Sequence, residues 1–452
     1  MTVSMRPAPG PSREYHFPRF ERRSLENGIS VVVAPVKKLP VVSVLAVING
    51  GAVAEPRGKE GVAELTALAL REGTKGKSGL ELITAFEELG TSLETGADWD
   101  TTVASMTLLT NHLPRAFEVF SEVLTSPEFP DAEIERLRAE RLAERMQIVS
   151  EPRGLADESF SRFIYDDGSR YAEPLGGSSA SVSGITRADV TDFYRRVYAP
   201  DAVTIIFAGD VTVDEAMGLV EKSLGQWKGR REAPPVNADK PARIARASQI
   251  IAKPEAAQSE LRLGHVGVPR THPDYFDIVV MNAVLGGLFS SRINLNLREA
   301  HGYTYGASSY FDWRRGSGPF VISTAVQSEV TGAAITETLA EIEKMRREKI
   351  SDEELTLATS YLDGVFPIRY ETTSAIASAL AGMVTFGLPE DYYDTYRAKV
   401  RSVTTAGVLR AAERYVNLDE LQIVVVGDAS LIRQQVEEIG VGPMSVQDAA
   451  EI

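Results

Sequence analysis

The chain contains no cysteine, which excludes disulfides, thiolate metal sites and a cysteine nucleophile. Its histidines are few: His16, His112, His265, His272 and His301, with no two of them three or four residues apart. No helix can therefore present two imidazoles to one metal ion, although a zinc site built from distant residues is still permitted. Each histidine otherwise reads as a hydrogen-bonded structural or surface imidazole. Gly-x-Ser-x-Gly occurs nowhere, which removes the serine-hydrolase elbow. No run of about 18 apolar residues is present, so no transmembrane segment is expected. Basic residues are in deficit, 48 against 63 acidic ones, for a net charge of −15. That balance disfavours nucleic acid, whose phosphates need clustered Lys and Arg, and favours solubility.

What is present begins with a near miss. Gly76-Lys77-Ser78 has the ending of a phosphate-binding loop, but the residue five positions before Gly76 is Arg71 where that motif needs glycine. The preceding residues also have a helical period, with Val62, Leu65, Leu68 and Ala69 on one face and Ala63, Ala67 and Leu70 filling the rest. Ser78 serves better as a helix N-cap, because Glu81 three residues later completes a capping box before "GLELITAFEEL" and a stop at Gly90.

The chain is too long for one ordinary core. A hydrophilic stretch, "WKGRREAPPVNADKPARIARAS" from Trp227 to Ser248, reads as a linker, and the sequence repeats itself on either side of it. "DFYRRVYAPDAVTIIFAGD" (Asp192 to Asp210) and "AAERYVNLDELQIVVVGD" (Ala411 to Asp428) each hold a helix end, a Tyr, a polar turn, a β-branched run and Gly-Asp. "ISVVVAP", "VVSVLAVING", "TTVASMTLL", "SELRLGHVGVP" and "PFVISTAVQS" read as strands. A highly charged helix is expected from about Asp131 to Val149, and "GGSSASVSG" (Gly176 to Gly184) reads as a loop carrying an N-cap. The fold class is α+β, two homologous sheet-plus-helix domains in tandem, residues 1–228 and 248–452, with 229–247 as linker.

Chemistry concentrates in "LGGLFSSRINLNLREAHGYTYGASSYF", Leu285 to Phe311. A helix ends at Gly286-Gly287, Arg292 and Arg298 follow, and Tyr305 stands in a Gly-Tyr-Thr-Tyr-Gly turn before a strand. Arginine offers a fixed cationic fork for a carbonyl or carboxylate, and a tyrosine hydroxyl can donate to a developing oxyanion. The same residues equally suit a structural role, with Arg298 paired to an acid and Tyr305 packed in a core. The first half shows no active site of its own.

"SLENGISVVVAP", "INGGAVAEPRGKEGVAEL", "LREGTKGKS", "FEELGTSLETGADWDTT", "VYAPDAVTIIFAGD" and "LGGLFSSRINLNLREAHGYTYGASS" together resemble the successive signatures of the pitrilysin-like (insulinase, M16) zinc peptidases, short two-domain type. Active members carry His-x-x-Glu-His on the helix after the first signature, two zinc ligands and the base that activates water. Here the corresponding positions are Glu64, Ala67 and Leu68. The chain therefore lacks both imidazoles and the base. Glu140 and Glu144 are nearest to the family's third ligand, and without the histidines they read as solvated helix charges.

The family's Arg/Tyr pair is retained, and the resemblance places it at Arg298 and Tyr305. It implies the zinc-free subunit of a heterodimeric metallopeptidase, with no cofactor in this chain and zinc in a partner subunit that carries His-x-x-Glu-His. Arg298 and Tyr305 would complete that partner's active site. Gly286 and Gly287 are expected to leave room for an extended peptide, and the strand from Gly306 through Ser308 to offer it an edge. The alternative is a peptide-binding or scaffold subunit without catalysis. An independent peptidase with an unrecognised metal site is the third reading. The N-terminus, "MTVSMRPAPGPSREYHF", lacks the apolar stretch of a secretory signal, so a cytoplasmic location is expected, or a periplasmic one if a leader has been removed.

Overall fold

The computed structural model describes residues 14–233 and 239–451. The beginning of the N-terminal stretch (1–13) and the linker residues 234–238 lie outside the described residues.

The first half opens with β1 (Glu21–Ser24), β2 (Ser30–Pro35) and β3 (Val41–Ile48) and enters helix α1 (Val62–Ala69). A two-residue-by-two-residue hairpin, β4 (Gly73–Thr74) and β5 (Lys77–Ser78), leads to α2 (Gly79–Glu87). The near-miss loop is thus spent on a hairpin, with Lys77 Nζ 2.5 Å from Glu122 Oε2. Ser78 and Glu81 form the expected capping box, the Glu81 carboxylate accepting the Ser78 amide at 2.8 Å. There follow β6 (Glu94–Ala97), β7 (Thr102–Leu109), α3 (Leu113–Thr125), the charged α4 (Asp131–Ser150) and α5 (Pro152–Ile164). The serine-rich stretch is not all loop: α6 (Ser179–Ser183) forms there, because Ser178 and Ser181 cap each other's amides. The half closes with α7 (Arg187–Val197), β8 (Val203–Gly209) and α8 (Val213–Leu224).

The second half runs β9 (Ala247–Ala252), β10 (Gln258–Val266) and α9 (Tyr275–Asn282), then a π-helical turn (Ala283–Gly287). A short α10 (Arg292–Asn294) and a second π turn (Leu295–Ala300) lead to β11 (Ala307–Phe311) and β12 (Pro319–Gln327). Helices α11 (Thr331–Arg347), α12 (Asp352–Arg369), α13 (Thr373–Phe386), α14 (Tyr392–Ser402) and α15 (Thr405–Tyr415) precede β13 (Gln422–Gly427), α16 (Ala429–Ile439) and β14 (Met444–Asp448).

The internal repeat is realised as topology. One sheet has the order β1-β2-β8-β3-β7-β6, the other β14-β9-β13-β10-β12-β11 read from its opposite edge. In both, the second and third strands are parallel and the next three pairings antiparallel. The two repeat segments found in the sequence are α7–β8 and α15–β13, at matching places.

Strand period two sorts the side chains between layers. Val31, Val33, Val44, Ile205 and Phe207 face the first half's own helices. Their neighbours Val32, Ala34, Leu45, Ile206 and Ala208 join the second half's core through α13, which lies on β3 and β8. The exchange is reciprocal, since α5 packs Leu155, Phe160 and Ile164 against Ile251, Val424 and Val426 of the second sheet. Burial on both faces explains why the central strands read as continuous apolar runs. The helical stretch Tyr275–Ala300 is, among the described residues, long and apolar enough to cross a membrane by length and composition, but 56% of its apolar window is buried in protein.

Candidate functional site

The first-half side of the site is built on α1. Its start is fixed by Glu55, a buried carboxylate that accepts the amides of Gly61 (3.0 Å) and Ala63 (2.8 Å) and pairs with Arg170 at 2.8 Å. Burial pushes the Glu55 carboxyl up to about 7, while Arg170 and the two amides pull it down. Gly61 is needed here: its φ is +99°, and a Cβ would stand 2.5 Å from the Gly176 carbonyl oxygen. Helix α1 is therefore held firmly at its start. Glu64 turns its Oε2 to the amide of Ala97 on β6, 2.8 Å away. Ala67 is fully buried, and Leu68 is half-buried against the first-half core.

Across from α1, helix α4 presents arginines. Arg145 is buried and bidentate on Glu158 of α5, and Arg141 pairs with Glu144 at 2.5 Å. With Glu64, Trp99 and Leu175 they wall a cavity of about 360 Å³. Zinc does not fit this donor set. A guanidinium cannot ligate a cation and repels it, and the Glu64 carboxylate is already engaged by an amide. Among the described residues no three His, Asp or Glu side chains gather to hold a metal ion. Glu140 and Glu144 are more than half exposed and paired within α4 to Arg136 and Arg141.

On the second-half side, Thr304 Oγ1 donates to the Gly306 carbonyl (2.9 Å) and accepts its amide (3.1 Å), a local turn that throws Tyr305 outward. Tyr305 is 93% exposed. Tyr305, Gly306 and Ser308 come together in the wall of a second cavity of about 340 Å³, which Asp157 and Arg262 also line. Arg298 is not among the residues lining it. Its guanidinium lies over the Phe289 ring at 4.5 Å, and its Nη1 is 3.4 Å from Glu299 without a hydrogen bond. Arg292 is spent on a bidentate pair with Glu354 at 2.6 and 2.9 Å.

Two sequence expectations change. Gly286 leaves no room for a peptide, because β11 fills the space: a Cβ there would stand 2.5 Å from the Ser309 amide. Gly287 is exposed beside Asn282. Nor is the outer edge of β11 open. Asn294 Oδ1 accepts the Ala307 amide at 3.0 Å and Asn282 Nδ2 donates to the Ser309 carbonyl at 2.9 Å, so two asparagines seal the edge.

A third cavity of about 850 Å³, lined by Gln147, Glu151, Arg153 and Gln258, completes a cleft between the halves, and Asp157 borders all three spaces. Sequence reasoning missed Arg145, Glu158, Asp157 and Arg262. A charged helix looks solvated unless the partners of its individual residues are known.

Residues 31–175 match the family described as Insulinase (Peptidase family M16), and residues 184–362 match Peptidase M16 inactive domain. An uncharacterized zinc protease of Bacillus subtilis, YmxG, is 24% identical over 359 residues, 79% of this chain and 86% of that protein. The probable mitochondrial-processing peptidase subunit beta of Schizosaccharomyces pombe is 26% identical over 277 residues, 60% of this chain and 59% of that one. Among solved structures, a peptidase M16 inactive domain from Pseudomonas fluorescens superposes with a TM-score of 0.84 at 26% identity, covering 90% of this chain and 98% of its own. Two matched segments spanning most of the chain, a duplicated six-stranded sheet and a shared tertiary fold converge on one conclusion: the chain belongs to the M16 peptidase family.

Proposed function

We propose that this chain is the zinc-free subunit of a heterodimeric M16-type metallopeptidase and that it binds peptide in the cleft between its halves. The observation that carries the reading is Tyr305, an almost fully exposed phenol on a built turn at a polar cavity, in a chain whose α1 is anchored by Glu55 and carries no histidine. An exposed tyrosine on a turn of this kind presents an apolar ring and a hydroxyl donor to whatever occupies the cavity. Zinc and its activated water belong to the partner in this reading. From this chain, the Tyr305 hydroxyl donates to the oxyanion of the attacked carbonyl. Arg298, whose guanidinium lies over the face of Phe289 and 3.4 Å from the Glu299 carboxylate with no hydrogen bond at Nη1, turns to a substrate carbonyl.

The test is hydrolysis of a quenched fluorescent peptide by a zinc-bearing M16 subunit titrated with this chain. Activity that appears on mixing and saturates near one to one supports the reading. Tyr305→Phe and Arg298→Ala should then each lower turnover by about 10²- to 10³-fold, as for other oxyanion donors. Unchanged turnover in both variants removes the assignment of these residues. No gain on mixing favours the non-catalytic scaffold, which the arginine-filled chamber also suits.

A further inference from the structure

Four strands border the two sheets: β1, β6, β11 and β14. An edge strand presents unpaired N–H and C=O groups that an extended polypeptide can continue as a new strand. Two of these edges reach the cleft, β11 through Ser308 and Tyr310 and β6 through Ala97. Asn294 and Asn282 close β11. On β6 the last paired residue is Ala97, opposite Thr102, and the Ala97 amide points away from β7 to Glu64. Antiparallel alternation then turns the Thr95 N–H and C=O to the same outer side. Among the described residues no side chain bonds those Thr95 groups. Along β6 the outward backbone groups are thus unengaged by side chains at Thr95 and held at Ala97 by a single carboxylate.

We propose that Glu64 guards this edge: its carboxylate holds the amide that an added strand needs, and so sets how readily the cleft takes an extended polypeptide. The inference rests on the peptide-binding reading of the cleft given above. Three features make the contact a built one. The helix carrying Glu64 is pinned by Glu55 through two amides and Arg170. Glu64 and Ala97 wall the same chamber as Trp99 and Leu175, so displacement of the carboxylate would occur where a ligand side chain could also be buried. The guard is an acceptor aimed at a strand donor, the one polarity that competes with an incoming carbonyl. An added strand must break the Glu64 bond before it gains its own, which cancels one rung of the ladder. Without Glu64 the rung is retained, worth about two- to tenfold in affinity.

The experiment measures binding of fluorescein-labelled oxidised insulin B chain, an unstructured polypeptide, to the full chain and to Glu64→Ala and Glu64→Gln, alongside hydrogen exchange of the Ala97 amide. Glutamine keeps an acceptor oxygen and loses the charge. The expected result is two- to tenfold tighter binding by Glu64→Ala, near-unchanged binding by Glu64→Gln, and faster Ala97 exchange in Glu64→Ala that the probe slows again. Equal or weaker binding by Glu64→Ala, with faster exchange, overturns the guard and leaves the peptide-binding cleft standing. Equal tightening in both variants assigns the effect to charge and also overturns it. If none of the three proteins binds the probe, the cleft reading falls and the guard falls with it.

Discussion

Single residues in this protein carry assignments that only their partners disclose, and His265 is the clearest. Its Nε2 lies 3.0 Å from the Asn417 amide and its Nδ1 is 2.9 Å from the Val266 carbonyl. An amide can only donate, so Nε2 accepts, the proton sits on Nδ1, and the ring is neutral. Burial holds its pKa below the ordinary value. Between that lowered value and about 6.5 the unfolded chain binds the proton at this site and the folded chain does not, so this residue's contribution to stability falls as pH drops through the window. The Glu55 carboxyl, raised to about 7, acts in the opposite sense over the same range, so the check is a difference: the stability lost on His265→Gln, read from urea midpoints, should shrink as pH falls from about 7 to about 5. A similar dependence on partners separates the two arginines of the second-half signature. Arg292 is locked to Glu354, and Arg298 rests on an aromatic face. In sequence the two look alike.

Local elements were more legible. The Ser78/Glu81 box, the strand runs and the charged helix from Asp131 were read correctly because capping and period are properties of neighbours in sequence. The π-helical turn at Ala283–Gly287 was not readable, since it follows from the approach of β11 to Gly286. Gly286→Ala should therefore cost about 1–3 kcal/mol by overpacking against Ser309, read as a lower urea midpoint with unchanged slope. The same approach brings Asn282 and Asn294 to the strand edge, so an edge expected to receive substrate is closed by its own chain. Neighbouring residues in sequence do not reveal which side of a strand another segment will cover.

At the scale of the whole molecule, α5 works as a strap between the halves. Adjacent residues on it reach different elements, Glu158 to Arg145 of α4 and Asp157 to Arg262 of β10, the latter at 2.5 Å. Both guanidinium groups are buried, so loss of either acid strands a charge. Glu158→Ala should destabilise the protein by about 3–5 kcal/mol, measured by equilibrium denaturation. Asp157 is half-exposed, and its loss should cost less, because Glu260 also reaches Arg262 at 3.0 Å. Residues 1–228 produced alone should fail to fold cooperatively, because α5 would lose the second sheet and the first sheet would lose α13. A sharp, two-state unfolding transition from that fragment would contradict this.

The duplicated α+β plan and the capped helices followed from the order of residues alone, because periodicity and caps are short-range facts, whereas the reading of Glu64, Ala67 and Leu68 as an emptied metal motif rested on a family resemblance. The exchange of α5 and α13, the pairing of Arg145 with Glu158, the sealing of β11 and the hold of Glu64 on Ala97 were decided by the tertiary structure. Each joins groups distant in sequence whose chemistry admits many partners, and only packing selects one.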